Sequence, residues 1–161
     1  MVVLWLVVAV AALQFVWATK GVLTRHSDGF AAYYTAARLV RVGDGGSRFY
    51  DDTWFGGQVS AFVPGVKDIY NANPPTTSMI MLPLSWADYA TARTIWIVLS
   101  IIMLTATLLL IVRETGMSGP VVPLFVSVAL LCEPLAANMR QGQVYIALLM
   151  LDPRLDRVSS Q

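Results

Sequence analysis

The sequence predicts an all-α polytopic membrane protein, and three observations support this fold class. Hydrophobic residues make up 57% of the chain and charged residues only 13%, whereas soluble domains carry about 25% charged residues. The mean hydropathy is +0.63. Three runs with at most one charge each, at 1–19, 95–112 and 120–136, have about the length that a helix needs to cross ~30 Å of hydrocarbon.

The first run, 1–19, ends at Lys20 and is predicted to be a retained membrane anchor. A cleaved signal peptide is the competing interpretation, and it requires a basic start and a small-residue cleavage site. The chain starts Met-Val-Val-Leu-Trp, without a basic residue. This start favours the anchor.

The later spans are less uniform. Trp86, Tyr89 and Trp96 flank the entry to the 95–112 span, where amphipathic rings favour the membrane interface. The 120–136 span contains two prolines, which membrane helices tolerate when neighbours satisfy the freed carbonyl groups. A fourth apolar run, 144–151, is too short to cross. We therefore expect a single membrane domain that is a fragment of a larger protein.

Composition excludes several classes of function. The net charge of +1 gives no electrostatic reason to expect a nucleic-acid partner. Cys132 is the only cysteine and His26 the only histidine, so no zinc-ligand spacing exists. We predict no metal and no cofactor.

The order of the spans relates two polar segments. The long loop 20–94 follows the first span, and the segment 137–143 follows the third. Two crossings separate them, so both are predicted to lie on the same side of the membrane. Lys20 and Arg25 near the first span favour a cytoplasmic loop, whereas Arg113 in the short turn after the second span favours the opposite orientation. Charge alone therefore leaves the orientation undecided.

The long loop is predicted to carry an interfacial helix. Ser27 or Asp28 is a good N-cap, and apolar residues then recur at three- and four-residue spacing until Gly43. Arg38 and Arg41 lie to one side of this apolar face, as expected for a helix on a membrane surface.

Asp28 is the main catalytic candidate because it follows the first span closely. A carboxylate at the interface can act as a general base towards a hydroxyl group, but Asp28 can equally be a plain helix cap. Asp51 and Asp52 can bind a cation or simply be solvated, and His26 is better interpreted as a surface residue than as a catalytic one.

The second polar segment supplies donors suited to sugars and phosphates. Asn138, Arg140, Gln141 and Gln143 carry amide and guanidinium groups, and Gly142 permits close approach of a ligand to the backbone. The alternative is a polar loop with Arg140 extended towards water. Glu133, an acid within a predicted span, is a further functional candidate.

The motifs, taken in order, resemble glycosyltransferase family 87. They are Ser27-Asp28-Gly29-Phe30 with Tyr33 and Tyr34, Gly43 to Tyr50-Asp51, Asn73-Pro74-Pro75, Leu82-Pro83-Leu84 and Asn138-x-x-x-Gly142-Gln143. The resemblance runs over nearly the whole chain and covers the N-terminal part of the family's usual length. It departs from the family pattern at Tyr145, where an asparagine is expected.

The resemblance implies a C-type membrane glycosyltransferase fold with a long first outer loop. It implies a plasma-membrane, multi-pass protein with a cytoplasmic N-terminus. It would transfer a mannose- or arabinofuranose-type sugar from a polyprenyl-phosphate donor to a lipid or glycan acceptor on the extracytoplasmic face. Asp28 would be the base. Substrate contacts are expected from Tyr33, Tyr34, Arg38, Asn138, Arg140, Gln141, Gly142 and Gln143.

A different class of function stays open. The chain can be a non-catalytic truncated membrane protein, or a small subunit that binds a lipid or a partner, because further spans would be needed to enclose a donor groove. We expect the 161-residue chain to be inactive alone. A transporter has no support, because no buried charge pair or inverted repeat is apparent.

Overall fold

The computed structural model describes residues 1–21, 28–70 and 73–150, with only the backbone described at Asp28 and Met150. Within these ranges the chain is helical and has no β-strand, as predicted for an all-α protein. The predictions for His26, for the Asp28 side chain and for Leu151 concern positions outside the described residues.

The described residues form eight α-helices and two short 3-10 helices. The α-helices are α1 (Val2–Ala18), α2 (Asp28–Arg41), α3 (Asp52–Phe62), α4 (Thr76–Met81), α5 (Tyr89–Glu114), α6 (Val121–Leu130), α7 (Glu133–Gln141) and α8 (Tyr145–Met150), and the 3-10 helices are Ser47–Tyr50 and Leu82–Trp86.

The chain divides into two compact units. We call residues 22–97 with 141–143 the loop unit, and residues 1–21, 98–140 and 144 onward the span unit. The first turns of α5 belong to the loop unit and the rest of this helix to the span unit.

In the loop unit, α2 is the enclosed central helix. Residues 30–37 are all buried, and α3, α4 and the 3-10 helix Leu82–Trp86 pack around them. Four of these eight residues are alanines, which let neighbouring backbones approach closely. The sequence predicts an interfacial helix over this segment, and α2 confirms the helix. The structure adds that residues 30–37 are buried, and the position of this helix at a membrane surface stays a prediction.

A second core of the loop unit is aromatic. Phe49, Phe55 and Tyr70 meet with ring centroids 5.2–5.7 Å apart, in the tilted and edge-to-face arrangements that aromatic pairs prefer. Asp51 begins α3 as its N-cap, since its carboxylate accepts hydrogen bonds from the backbone N–H groups of Thr53 and Trp54 at 3.1 and 3.0 Å.

In the span unit, α5 is the one described helix that is long and apolar enough to cross a membrane. α6 and α7 meet at 50° and count as a second crossing only if the bent pair is one span. The bend has a local cause, because Pro134 lacks the N–H group that a continuous helix would need. Cys132 lies exposed at this break.

α1 packs against α6 in the span unit, with Ala11 buried. Its 17 residues are apolar but fall short of the usual spanning length. The number of crossings and the single-domain organisation therefore stay predictions.

Candidate functional site

The first turn of α2 lies against the segment 141–143 within the loop unit. A Cβ atom on Gly29 would lie 2.8 Å from the carbonyl oxygen of Gln141 and 3.3 Å from Cγ of Gln143. At such a short distance to a backbone atom, a side chain at position 29 fits only if the 141–143 segment moves. The structure thus brings the helix start at Asp28 next to Gln141, Gly142 and Gln143, although these segments are more than 110 residues apart.

The start of α5 holds the same segment from another direction. The indole Nε1–H of Trp96 donates a buried hydrogen bond to the carbonyl oxygen of Gly142 at 2.9 Å. Gly142 has a φ of +63°, a left-handed conformation that glycine adopts without steric cost and that commonly ends a helix. Gly142 therefore terminates α7 and presents its carbonyl group to Trp96.

An aromatic cluster joins α2 to α5. Phe30 and Tyr34 lie one turn apart on α2, and both pack on the ring of Tyr89, with centroids 5.6 and 5.5 Å away. Tyr89, Arg93 and Trp96 share one face of α5, since they are spaced four and three residues apart. This face consequently contacts α2 at one end and the 141–143 segment at the other.

Arg93, which was not among the sequence-based candidates, lies on this face and is only 5% exposed. Its guanidinium lies close to the hydroxyl of Tyr89. Burying a charge is costly unless it is paired or hydrogen-bonded. The signal that could have revealed it is the helical spacing of Tyr89, Arg93 and Trp96 at a predicted span entry.

Tyr34 and Arg38, both predicted substrate contacts, are engaged within the protein. The Tyr34 hydroxyl donates to the carbonyl oxygen of Ala87 at 2.8 Å and accepts from Nη1 of Arg38 at 2.9 Å. The Arg38 guanidinium also lies over the ring of Phe62, 5.1 Å from its centroid. These contacts connect α2 to Ala87 and to Phe62 of α3. Tyr33 is buried too, and substrate contact by these three residues stays a prediction.

Asn138 and Arg140 belong to the span unit. Arg140 forms an ion pair with Glu133, whose side chain is 71% exposed, and donates a hydrogen bond to the carbonyl oxygen of Ala18 at 3.4 Å. An exposed pair of this kind contributes little to stability. The contact with Ala18 links α7 to the end of α1.

Asn138 is 5% exposed, and neither atom of its amide has a hydrogen-bond partner among the described residues. It lines a cavity of about 240 Å³ whose other walls are mainly apolar, formed by Pro134, Leu135, Tyr145, Ile146 and Leu149. A buried amide without partners costs free energy. The amide could bind a ligand in this cavity, and substrate contact by Asn138 stays a prediction.

A larger cavity of about 630 Å³ lies in the loop unit beside α3. Its lining residues are Asp52, Thr53, Gly56, Gly57, Ser60, Lys67, Asp68 and Ile69. Asp68, which sequence reasoning missed, accepts a hydrogen bond from the backbone N–H of Ala32 in α2 at 3.1 Å. No group of three or more potential metal-ligating side chains occurs in the part of the chain that the structure describes.

Comparison with known proteins gives one result. The family model of glycosyltransferase family 87 matches residues 71–151, about half of the chain. The matched range contains Arg93, Trp96 and the 141–143 segment, and it does not contain α2. Searches of curated proteins and of solved structures found no match.

Proposed function

Because the chain belongs to glycosyltransferase family 87, we propose that it supplies the catalytic base and part of the donor site of a membrane glycosyltransferase. The enzyme would move a mannose- or arabinofuranose-type sugar from a polyprenyl-phosphate donor to a lipid or glycan acceptor. The observation that carries this proposal is the contact of Gly29 with Gln141 and Gln143. It joins the helix start that bears Asp28 to the amide-rich segment.

Asp28 would act as the general base. Its carboxylate would take the proton of an acceptor hydroxyl as the hydroxyl oxygen attacks the anomeric carbon. The bond from this carbon to the phosphate oxygen would break with its electron pair staying on the phosphate. The configuration at the anomeric carbon would invert. The amides of Gln141 and Gln143 are suited to sugar hydroxyl groups.

The lipid-linked donor gives a reason for the membrane association of the protein. The long loop and the 137–143 segment would share the extracytoplasmic face, with the N-terminus in the cytoplasm. The spans at 1–19, 95–112 and 120–136 would then form part of a C-type fold in the plasma membrane. Labelling engineered cysteines at positions 28 and 141 with an impermeant reagent tests this arrangement, and opposite exposure would contradict a shared site.

Asp28→Asn tests the base directly. In membranes that contain the complete gene product, we expect sugar transfer from a polyprenyl-phosphate donor to fall about 10²–10⁴-fold, the usual contribution of a general base, with unchanged protein level. The control is Asp44→Asn, because Asp44 is an exposed carboxylate of the same unit that pairs with Arg48 on the surface. Retained transfer by Asp28→Asn would remove Asp28 from the mechanism.

A further inference from the structure

The loop unit contains a buried positive charge at the start of α5. Arg93 is 5% exposed, and the polar side chain beside its guanidinium is the hydroxyl of Tyr89. The two ion pairs between described residues are Arg48–Asp44 and Arg140–Glu133, so neither neutralises Arg93. A buried charge is strongly unfavourable unless a counter-charge neutralises it, and no described side chain forms an ion pair with Arg93. An anionic ligand would remove this cost.

The surroundings of Arg93 place it at the junction already described. Tyr89, one turn before it on α5, packs on Phe30 of α2. Trp96, one turn after it, donates its hydrogen bond to Gly142. Arg93 therefore lies on the helix face between the first turns of α2 and the 141–143 segment, with aromatic rings on both sides. A buried cation between aromatic rings is suited to an anion attached to an apolar chain.

The two arginines described on α2 have partners within the loop unit. Arg38 contacts Tyr34 and Phe62. Arg41 donates to the carbonyl oxygen of Ser85 and lies over the ring of Trp86. Arg93 is the buried arginine among the described residues, and the one side chain described beside its five N–H donors is Tyr89. A guanidinium binds phosphate through two parallel N–H···O bonds.

We propose that Arg93 binds the phosphate of the lipid-linked donor, an inference that rests on the proposed function. When the bond between the anomeric carbon and the phosphate oxygen breaks, the electron pair leaves on that oxygen. Arg93 would stabilise the added negative charge in a site that water hardly reaches, where such stabilisation is most effective. The phosphate chemistry is shared by phospholipids and by free phosphate, so the test separates these sources.

The test is ligand binding by the complete gene product in phosphatidylcholine nanodiscs. Displacement of a fluorescent polyprenyl phosphate is measured with unlabelled polyprenyl phosphate, polyprenol of equal length, phosphatidic acid and inorganic phosphate. Arg93→Met is expected to weaken polyprenyl-phosphate binding about tenfold or more, the effect of losing charged hydrogen bonds, and to leave the weaker polyprenol binding unchanged. Arg48→Met, which removes an exposed arginine of the same unit, is expected to bind like wild type.

Thermal unfolding without ligand separates binding from structure. Removing an unpaired buried charge leaves the ligand-free protein as stable as wild type or more stable, so the loss of affinity in Arg93→Met is expected at an undiminished Tm. If Arg93→Met does not fold, Arg93→Lys decides, because it keeps the charge but not the planar pair of donors. A three- to tenfold loss of affinity in Arg93→Lys supports the proposal, and wild-type affinity overturns it.

Two further results overturn the proposal. One is wild-type affinity of Arg93→Met for polyprenyl phosphate, and the other is equal competition by phosphatidic acid or inorganic phosphate. Sugar transfer is measured in parallel. Transfer with a wild-type KM for the donor in both Arg93 variants refutes the role of Arg93 and leaves the proposed function standing. If the wild-type protein binds polyprenyl phosphate through Arg93 but transfers no sugar, the proposed function is refuted and the phosphate-binding role of Arg93 stands.

Discussion

Gly29→Ala is the most direct perturbation of the contact between α2 and the 141–143 segment. The new methyl carbon would lie 2.8 Å from the carbonyl oxygen of Gln141 and 3.3 Å from Cγ of Gln143. Because the first of these atoms is backbone, the segment itself must move. Overpacking of this kind typically costs about 1–3 kcal/mol.

The same substitution also has a favourable term. Alanine is preferred over glycine in a helix by about 0.5–1 kcal/mol. A matched control isolates this term, because a Cβ atom on Gly57 of α3 would meet nothing within 4 Å. Gly57→Ala is therefore expected to stabilise the protein by about 0.5–1 kcal/mol. Gly29→Ala is expected to be about 1–3 kcal/mol less stable than Gly57→Ala, which is the overpacking term alone.

The assay has two readouts. The free energies of unfolding of both variants are compared in the same detergent, and sugar transfer is measured in membranes. We expect Gly29→Ala to lose transfer at a temperature where it is still folded, because displacement of Gln141 and Gln143 disturbs the proposed sugar contacts. Equal stability of the two variants would mean that the 141–143 segment does not approach α2, and the proposed site would lose its geometric basis.

Two further predictions concern the same unit. Trp96→Phe removes the hydrogen bond to the buried carbonyl group of Gly142, so thermal unfolding should show a loss of about 1–3 kcal/mol. The control is Trp86→Phe, because Trp86 is exposed and phenylalanine keeps an aromatic ring under Arg41, so its loss should stay below about 1 kcal/mol. Equal stability of the two variants would contradict the role of the bond. Burial raises the pKa of Tyr70 above its ordinary value, so the neutral phenol is favoured in the folded state. The stability that the buried phenol contributes is present in full below the pKa of tyrosine in the unfolded chain, about 10. It is lost as the pH rises through the higher pKa of Tyr70 in the folded protein. Tyr70→Phe should flatten this decrease when Tm is followed from pH 8 upward, and an unchanged pH dependence would contradict it.

Local sequence patterns were sufficient to predict α2 and α5 but not α3, α4 or the break between α6 and α7. The N-cap and apolar spacing after Ser27 predicted a helix where α2 occurs, and the uncharged run 95–112 lies within α5. Periodicity did not predict that α2 is enclosed. Ala31, Ala32 and Ala36 are buried but lie outside the three- and four-residue repeat, so the repeat indicated one apolar face where the fold covers several.

Contacts between distant segments were harder to predict. Counting spans predicted that Asp28 and the 141–143 segment lie on the same side of the membrane. Such a count does not predict the distance between them. Arg93 and Asp68 were missed because their surroundings depend on packing. Asp68 reaches Ala32 across 36 residues, and the Trp96 bond to Gly142 spans 46 residues. Neither pairing leaves a pattern in a single sequence.

The alanine-rich interior of α2 has a consequence for how such a protein can evolve. A side chain borne at the end of a tightly enclosed helix keeps its position when surrounding loops change length or composition, since functional groups on rigid elements are held more accurately than those on loops. The exposed stretches of the connections, such as 43–48 and 64–65, can diverge and reshape what the protein recognises. The start of α2 would meanwhile keep the same position while the sequence around it changes.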